Sequence, residues 1–231
     1  MRHMRAILWK QGKDTLKNKE ILIQFILFPV LTVIMENTIT IQGMPSHFFA
    51  NLFAVMYIGM APLTSMASII SEEREKHTLK ALFFSDVKAR EYLPGIGIYV
   101  WCICMLGVGV IGVSTGYRGE VLLNFMAVAA VGILLSCFVG AVIGICSKTQ
   151  MKATSVTVPV MVIFSFLPMI AMYNKSIEKI ARVIYTQQIY KLMMQVEEMN
   201  VSREAGIVIG VNLILAAGLF FIVYQRNGLE D

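Results

Sequence analysis

The run VLLNFMAVAAVGILLSCFVGAVIGIC, Val121–Cys146, is 26 residues long and carries no charged side chain. An α-helix needs about 20 apolar residues to cross the hydrocarbon of a bilayer. In lipid every backbone N–H and C=O must bond within its own segment, so a run of this length reads as a helix and not as a strand. Small residues recur along it every four positions: Gly132, Ser136, Gly140 and Gly144. Positions four apart share a helix face, and a face of small side chains lets another backbone approach closely in lipid. The run therefore predicts a helix packed in a compact bundle, within one subunit or between two.

Outward from it lie five more runs of the same kind: Ile21–Ile41, Phe48–Ile70, Tyr92–Ser114, Ala153–Tyr173 and Ala205–Tyr224. Of the 35 charged side chains in the 231-residue chain, only Glu36 falls inside a run. Apolar residues make up 57% and charged residues 15%, and the mean hydropathy is +0.69. A soluble domain has about 25% charged residues to cover its surface. Composition thus excludes a soluble globule, a disordered chain and a disulfide scaffold. The expectation is all-α: one transmembrane domain over 1–231, with spans at 21–41, 48–70, 92–114, 121–146, 153–173 and 205–224.

Lys and Arg set the orientation. With both termini in the cytoplasm, 14 basic residues lie inside and 6 outside. The net charge of +5 is mostly this orientation signal and does not point to nucleic acid. The first twenty residues are too polar for a cleavable signal peptide. They read as an interfacial helix over 1–20, with Met4, Ile7, Leu8 and Leu16 on one side, Trp9 at the interface, and lysines toward water and anionic lipid.

Catalytic signatures are missing. Cys102, Cys104, Cys137 and Cys146 lie in or at the end of apolar spans, match no zinc or redox spacing, and read as small buried hydrophobes. The three histidines, His3, His47 and His77, are dispersed. Gly144-Ile-Cys-Ser-Lys-Thr resembles the end of a phosphate-binding loop, but Val142 and Ser147 occupy the two glycine positions. The chain is expected to be no enzyme and to hold no cofactor or metal. Gly112/Gly116 and Gly206/Gly210 repeat the small-residue spacing. Pro29, Pro62, Pro159 and Pro168 lie within spans and should kink or break them, leaving irregular backbone in the outer half of the fifth.

The loop over 71–91, placed in the cytoplasm, is the most informative. Ten charges lie between Glu72 and Glu91, five of each sign. Leu79, Leu82 and Phe83 fall at helical spacing. A short helix thus presents an apolar tip beside a mixed-charge face, as a docking surface for a cytoplasmic partner would; a helix lying flat in the headgroups is the alternative.

Glu73-Arg74-Glu75-Lys76-His77-Thr78-Leu79-Lys80 resembles the segment after the second span of type 2 ABC exporter permeases. The usual form reads Glu-x-Glu-x-Gly-Thr-Leu, and His77 stands where Gly is commonest. The amphipathic N-terminal helix, six spans, proline-containing fifth span and long outer loop agree, so the resemblance covers nearly the whole chain. It implies the membrane half of an exporter in the plasma membrane, the inner membrane of a bacterium. The implied partners are two ABC ATPase subunits and a second permease copy or paralogue. ATP and Mg would bind on the ATPases. By resemblance, Glu73, Arg74, Glu75, Lys76, His77, Thr78, Leu79, Leu82 and Phe83 form the ATPase-coupling segment.

The outer loop over 174–204 is long for a bare linker. Ile177, Ile180, Ile184, Leu192, Met193, Val196 and Met199 approximate a helical stripe with a break near Gln187–Gln188. This resembles the outer re-entrant or gate helices of the family, with Pro168, Ile184, Leu192 and Met193 as gate residues; a flat interfacial helix with no gating role is the alternative. Glu36 is the one candidate charge within a span. Without paired charges in the spans, an amphipathic or hydrophobic cargo is favoured, such as an antimicrobial or toxin peptide. Drug or lipid-linked cargo is an alternative. So is a membrane scaffold or sensor that docks a cytoplasmic partner and moves nothing.

Overall fold

The computed structural model describes residues 2–39, 45–76, 89–198 and 202–226. The described residues form nine helices and no strand. In chain order they are α1 (Arg2–Lys17), α2 (Lys19–Thr38), α3 (Phe48–Glu75), α4 (Ala89–Ser114), α5 (Gly119–Cys146), α6 (Gln150–Tyr173), α7 (Lys175–Ala181), α8 (Tyr185–Met194) and α9 (Arg203–Arg226). Helices α2, α3, α4, α5, α6 and α9 are each long and apolar enough to cross a membrane, and they coincide with the six runs. The protein is a polytopic all-α membrane protein.

Helix α3 is the centre. It packs against α2, α4, α5, α6 and α8, and most of its side chains are buried. The small-residue face of α5 seats it. A Cβ on Gly140 would strike the Leu63 carbonyl and lie 2.9 Å from Met66 Cβ, and one on Gly144 would lie 2.8 Å from Ile70 Cβ. One turn before Leu63, a Cβ on Gly59 would lie 2.9 Å from the Phe164 carbonyl of α6. These close approaches replace the hydrophobic drive that lipid removes. Helix α9 is peripheral. It rests on α5 and α8, and Gly206 and Gly210 face open space within this chain. Gly116 serves a turn, with φ of 90°, and is not a packing residue.

Several expectations change. Neither Pro159 nor Pro168 breaks α6, which runs unbroken from Gln150 to Tyr173, and α2 and α3 continue through Pro29 and Pro62. The missing N–H of Pro62 frees the Ile58 carbonyl, and Ser136 Oγ of α5 donates to that oxygen at 2.6 Å. A neighbouring hydroxyl thus restores what the proline removed. The N-terminal helix ends at Lys17, slightly short of the expected boundary at 20, and α2 starts at Lys19. Asn18 lies between them, and its Oδ1 accepts from the Ile21 N–H at 3.3 Å. Ile7 points inward with Gln11 and Thr15, while Leu16 is 72% exposed. Nine residues at about 100° each turn Leu16 to the side opposite Ile7. Cys104 and Cys137 are buried, but Cys102 and Cys146 are exposed on the helix surfaces.

Candidate functional site

Helix α3 continues past its apolar run, so Ser71–Glu75 are helical and not loop. Successive residues of a helix point about 100° apart, and this charged turn therefore fans out to different neighbours. Glu73 points into the protein and is 7% exposed. Its Oε1 accepts from Lys10 Nζ at 2.7 Å and Gln11 Nε2 at 2.6 Å, both on α1. Its Oε2 accepts from the Tyr92 hydroxyl of α4 at 2.6 Å. Arg74 donates to the Ile145 carbonyl in the last turn of α5, where the exposed carbonyls favour a cation. Glu75 Oε2 accepts from the Gln150 N–H, 2.7 Å away, at the start of α6, where orphan donors favour an anion. Glu72 pairs with Lys76 at 2.5 Å on the outer side. That hydrogen bond, with the Glu72 charge, holds the Lys76 ammonium above the usual lysine range. His77, Thr78, Leu79, Leu82 and Phe83 lie outside the described residues.

A cavity of about 750 Å³ opens beside this turn, with Lys10, Asp14, Lys17, Lys19, Glu72 and Lys76 on its walls. Gln150 lines it and also lines a second, smaller cavity of about 140 Å³ between α2, α3 and α6. The second cavity is uncharged and of mixed lining, with Gln24, Thr64, Ser68 and Thr157 beside Met60, Val158 and Met161. Thr64 Oγ1 donates to Gln24 Oε1 at 2.6 Å, and Gln150 Nε2 donates to Ser68 Oγ at 3.2 Å. Thr157 Oγ1 is buried with no hydrogen-bond partner among the described residues. Sequence reasoning missed Gln11, Tyr92, Gln24 and Thr157. Their signal is present but faint: single polar residues within or beside apolar runs, meaningful only once neighbours are known.

At the other end, the expected stripe from Ile177 to Met199 is two helices, and Met199 lies outside the described residues. The break falls at Arg182–Ile184, where Ile184 is extended, and not at Gln187–Gln188, which lie buried inside α8. Helix α8 is inserted between α3, α5, α6 and α9. The Tyr185 hydroxyl lies 2.7 Å from Ser136 Oγ, and the Tyr185 ring meets Phe164 edge-on at 5.2 Å. Asn212 Nδ2 of α9 donates to the Val183 carbonyl in the turn, at 2.9 Å. Leu192, Met193 and Pro168 are buried, and Ile184 is half-buried. Glu36 is not alone in the membrane. It lies near the start of α3, accepts from the Ala50 N–H at 3.2 Å and meets His47 Nδ1 at 3.0 Å. Beside it, burial pushes the Tyr117 phenol up to about 12, so the hydroxyl stays protonated and donates to Asn51 Oδ1 at 3.2 Å.

Among the described residues no cluster able to hold a metal appears. The arrangement is a helical membrane body with a charged cavity at one end, a second, uncharged cavity that shares Gln150 with it, and an inserted helix at the other end. This is the class of a membrane permease subunit. The family described as ABC-2 family transporter protein matches residues 10–224, and the chain belongs to it. It is thus a transmembrane subunit of an ABC transporter, in a family that partners with ABC ATPase subunits. No curated protein matches the chain.

Proposed function

We propose that the protein is the permease of an ABC exporter and that its cargo is an amphipathic peptide. The 14-to-6 division of basic residues supports a cytoplasmic location for both termini, the Glu72–Lys76 turn and the following loop. The loop docks on the ATPase through Leu79, Leu82 and Phe83. The observation that carries the reading is the uncharged cavity of mixed polar and apolar lining between α2, α3 and α6, which shares Gln150 with the charged cavity beside the Glu72–Lys76 turn. A path of amide and hydroxyl groups with apolar neighbours suits peptide groups beside apolar side chains, and it disfavours ions, which need charged partners in the membrane. Apolar side chains of α2 and α6, among them Ile23, Val30, Val158 and Val162, remain exposed on this chain. A second permease copy covers them and completes the path. Helices α7 and α8 close its outer end in the bacterial inner membrane.

The test is reconstitution of the permease with its ATPase in liposomes. A fluorescent amphipathic peptide, a phospholipid analogue and a hydrophobic dye are offered separately, and ATP-dependent movement is measured. Peptide movement that falls in Thr157→Val and Gln24→Leu supports the reading. Movement of the lipid or dye alone overturns the cargo. An ATPase that binds but moves none of the three supports the scaffold reading instead.

A further inference from the structure

We propose that Glu73 is a positioning residue that works inside the permease and not on the ATPase. With Arg74 and Glu75 it makes the last turn of α3 a junction, through which movement of the following loop passes to α1, α4 and the α5–α6 connection. This rests on the exporter reading above. It departs from what the family resemblance implies, namely that Glu73 and Glu75 touch the ATPase.

Three observations carry it. First, both carboxylate oxygens of Glu73 are occupied, by Lys10 and Gln11 on one side and Tyr92 on the other. Offering this group to another protein would strip a buried charge of its donors and leave Gln11 and Tyr92 without an acceptor. Second, beyond Ile7 and Leu8 the inward positions of α1 are the polar Gln11 and Thr15, and Lys10 and Gln11 both bond Glu73, so Glu73 is the polar tie between this part of α1 and α3. A helix held this way moves with the carboxylate that holds it. Third, the next two residues repeat the arrangement on other elements. Arg74 bonds the end of α5, and Glu75 bonds the start of α6. The three consecutive side chains thus fasten four helices to the root of the loop. Glu72 and Lys76 stay on the outer side, where a partner can reach them.

The experiment uses the complete complex of permease and ATPase in lipid nanodiscs. Backbone hydrogen exchange is measured without nucleotide and after trapping with ATP and vanadate, and ATPase binding is measured alongside. In the wild type, trapping should change exchange in α1 and at the start of α6 together with the loop. Glu73→Gln should bind the ATPase within about twofold of wild type, exchange about tenfold faster across α1, and show no nucleotide-dependent change there. Tyr92→Phe removes one hydroxyl and keeps the shape, so it should show a smaller effect of the same kind and stands in if Glu73→Gln fails to fold. A Glu73→Gln protein that loses ATPase binding about tenfold while α1 keeps wild-type exchange overturns the proposal and makes Glu73 a contact residue. If the wild type binds no ATPase, the exporter reading fails. The nucleotide-free exchange of α1 then still decides whether Glu73 holds that helix, and unchanged exchange in both variants overturns the junction.

Discussion

At the scale of single residues, the glycines separate into those that seat a helix and those that do not. A Cβ on Gly140 would meet the Leu63 carbonyl, which is backbone and cannot swing aside. Gly140→Ala should therefore push α3 from α5 and cost about 1–3 kcal/mol, the usual range for overpacking. Gly210 faces open space, so Gly210→Ala should be neutral in the monomer or gain up to about 1 kcal/mol of helix propensity. Thermal unfolding in detergent compares the two. An equal loss in both would show that the four-residue spacing alone, and not the contact, sets the cost. The sequence spacing marks both glycines alike. Only the position of the neighbouring backbone distinguishes them.

At the scale of elements, Pro62 and Ser136 belong together although they lie on α3 and α5. Ser136 donates to the Ile58 carbonyl that Pro62 leaves without its helical donor, and Tyr185 of α8 reaches the same hydroxyl. Ser136→Ala should cost about 1–3 kcal/mol, because it leaves buried polar groups short of partners. In a Pro62→Ala background the cost should be smaller, since the restored N–H of residue 62 can bond Ile58. A double-mutant cycle measures the difference, and strict additivity would refute the coupling. Helix α8 supplies a second comparison. Met193 is 0% exposed and Val183 is 66% exposed. Met193→Lys would bury a charge without a partner and should sharply reduce the yield of folded protein, whereas Val183→Lys should be tolerated. Fluorescence-detected size-exclusion chromatography reads both. The expected gate stripe therefore divides by burial: Leu192 and Met193 on α8 are buried, whereas Ile180 on α7 is exposed.

At the scale of the whole molecule, the orientation is open to direct measurement. Ser46 lies between α2 and α3, Lys148 lies between α5 and α6, and both are exposed. With single cysteines introduced at each in a Cys-less background, impermeant thiol reagent should label Ser46→Cys in intact cells and leave Lys148→Cys protected until the membrane is opened. The opposite pattern would invert the protein and move the Glu72–Lys76 turn away from any cytoplasmic ATPase.

The number, length and helical nature of the spans follow from the chain alone, because lipid allows few backbone solutions and charge is confined between the runs. The family was legible too, in one charged motif and the layout around it. The roles within that motif were not. Glu72, Glu73 and Glu75 are chemically the same residue, and burial by Lys10, Gln11 and Tyr92 sets Glu73 apart from its neighbours. The unbroken course of α6 through two prolines, the inward turn of Gln11 and the depth of α8 likewise depend on partners distant in sequence. Periodicity reports which side of a helix is apolar, but in a membrane both lipid and protein are apolar neighbours. Which apolar side meets protein, and which polar atom finds a donor there, is decided by how the helices pack.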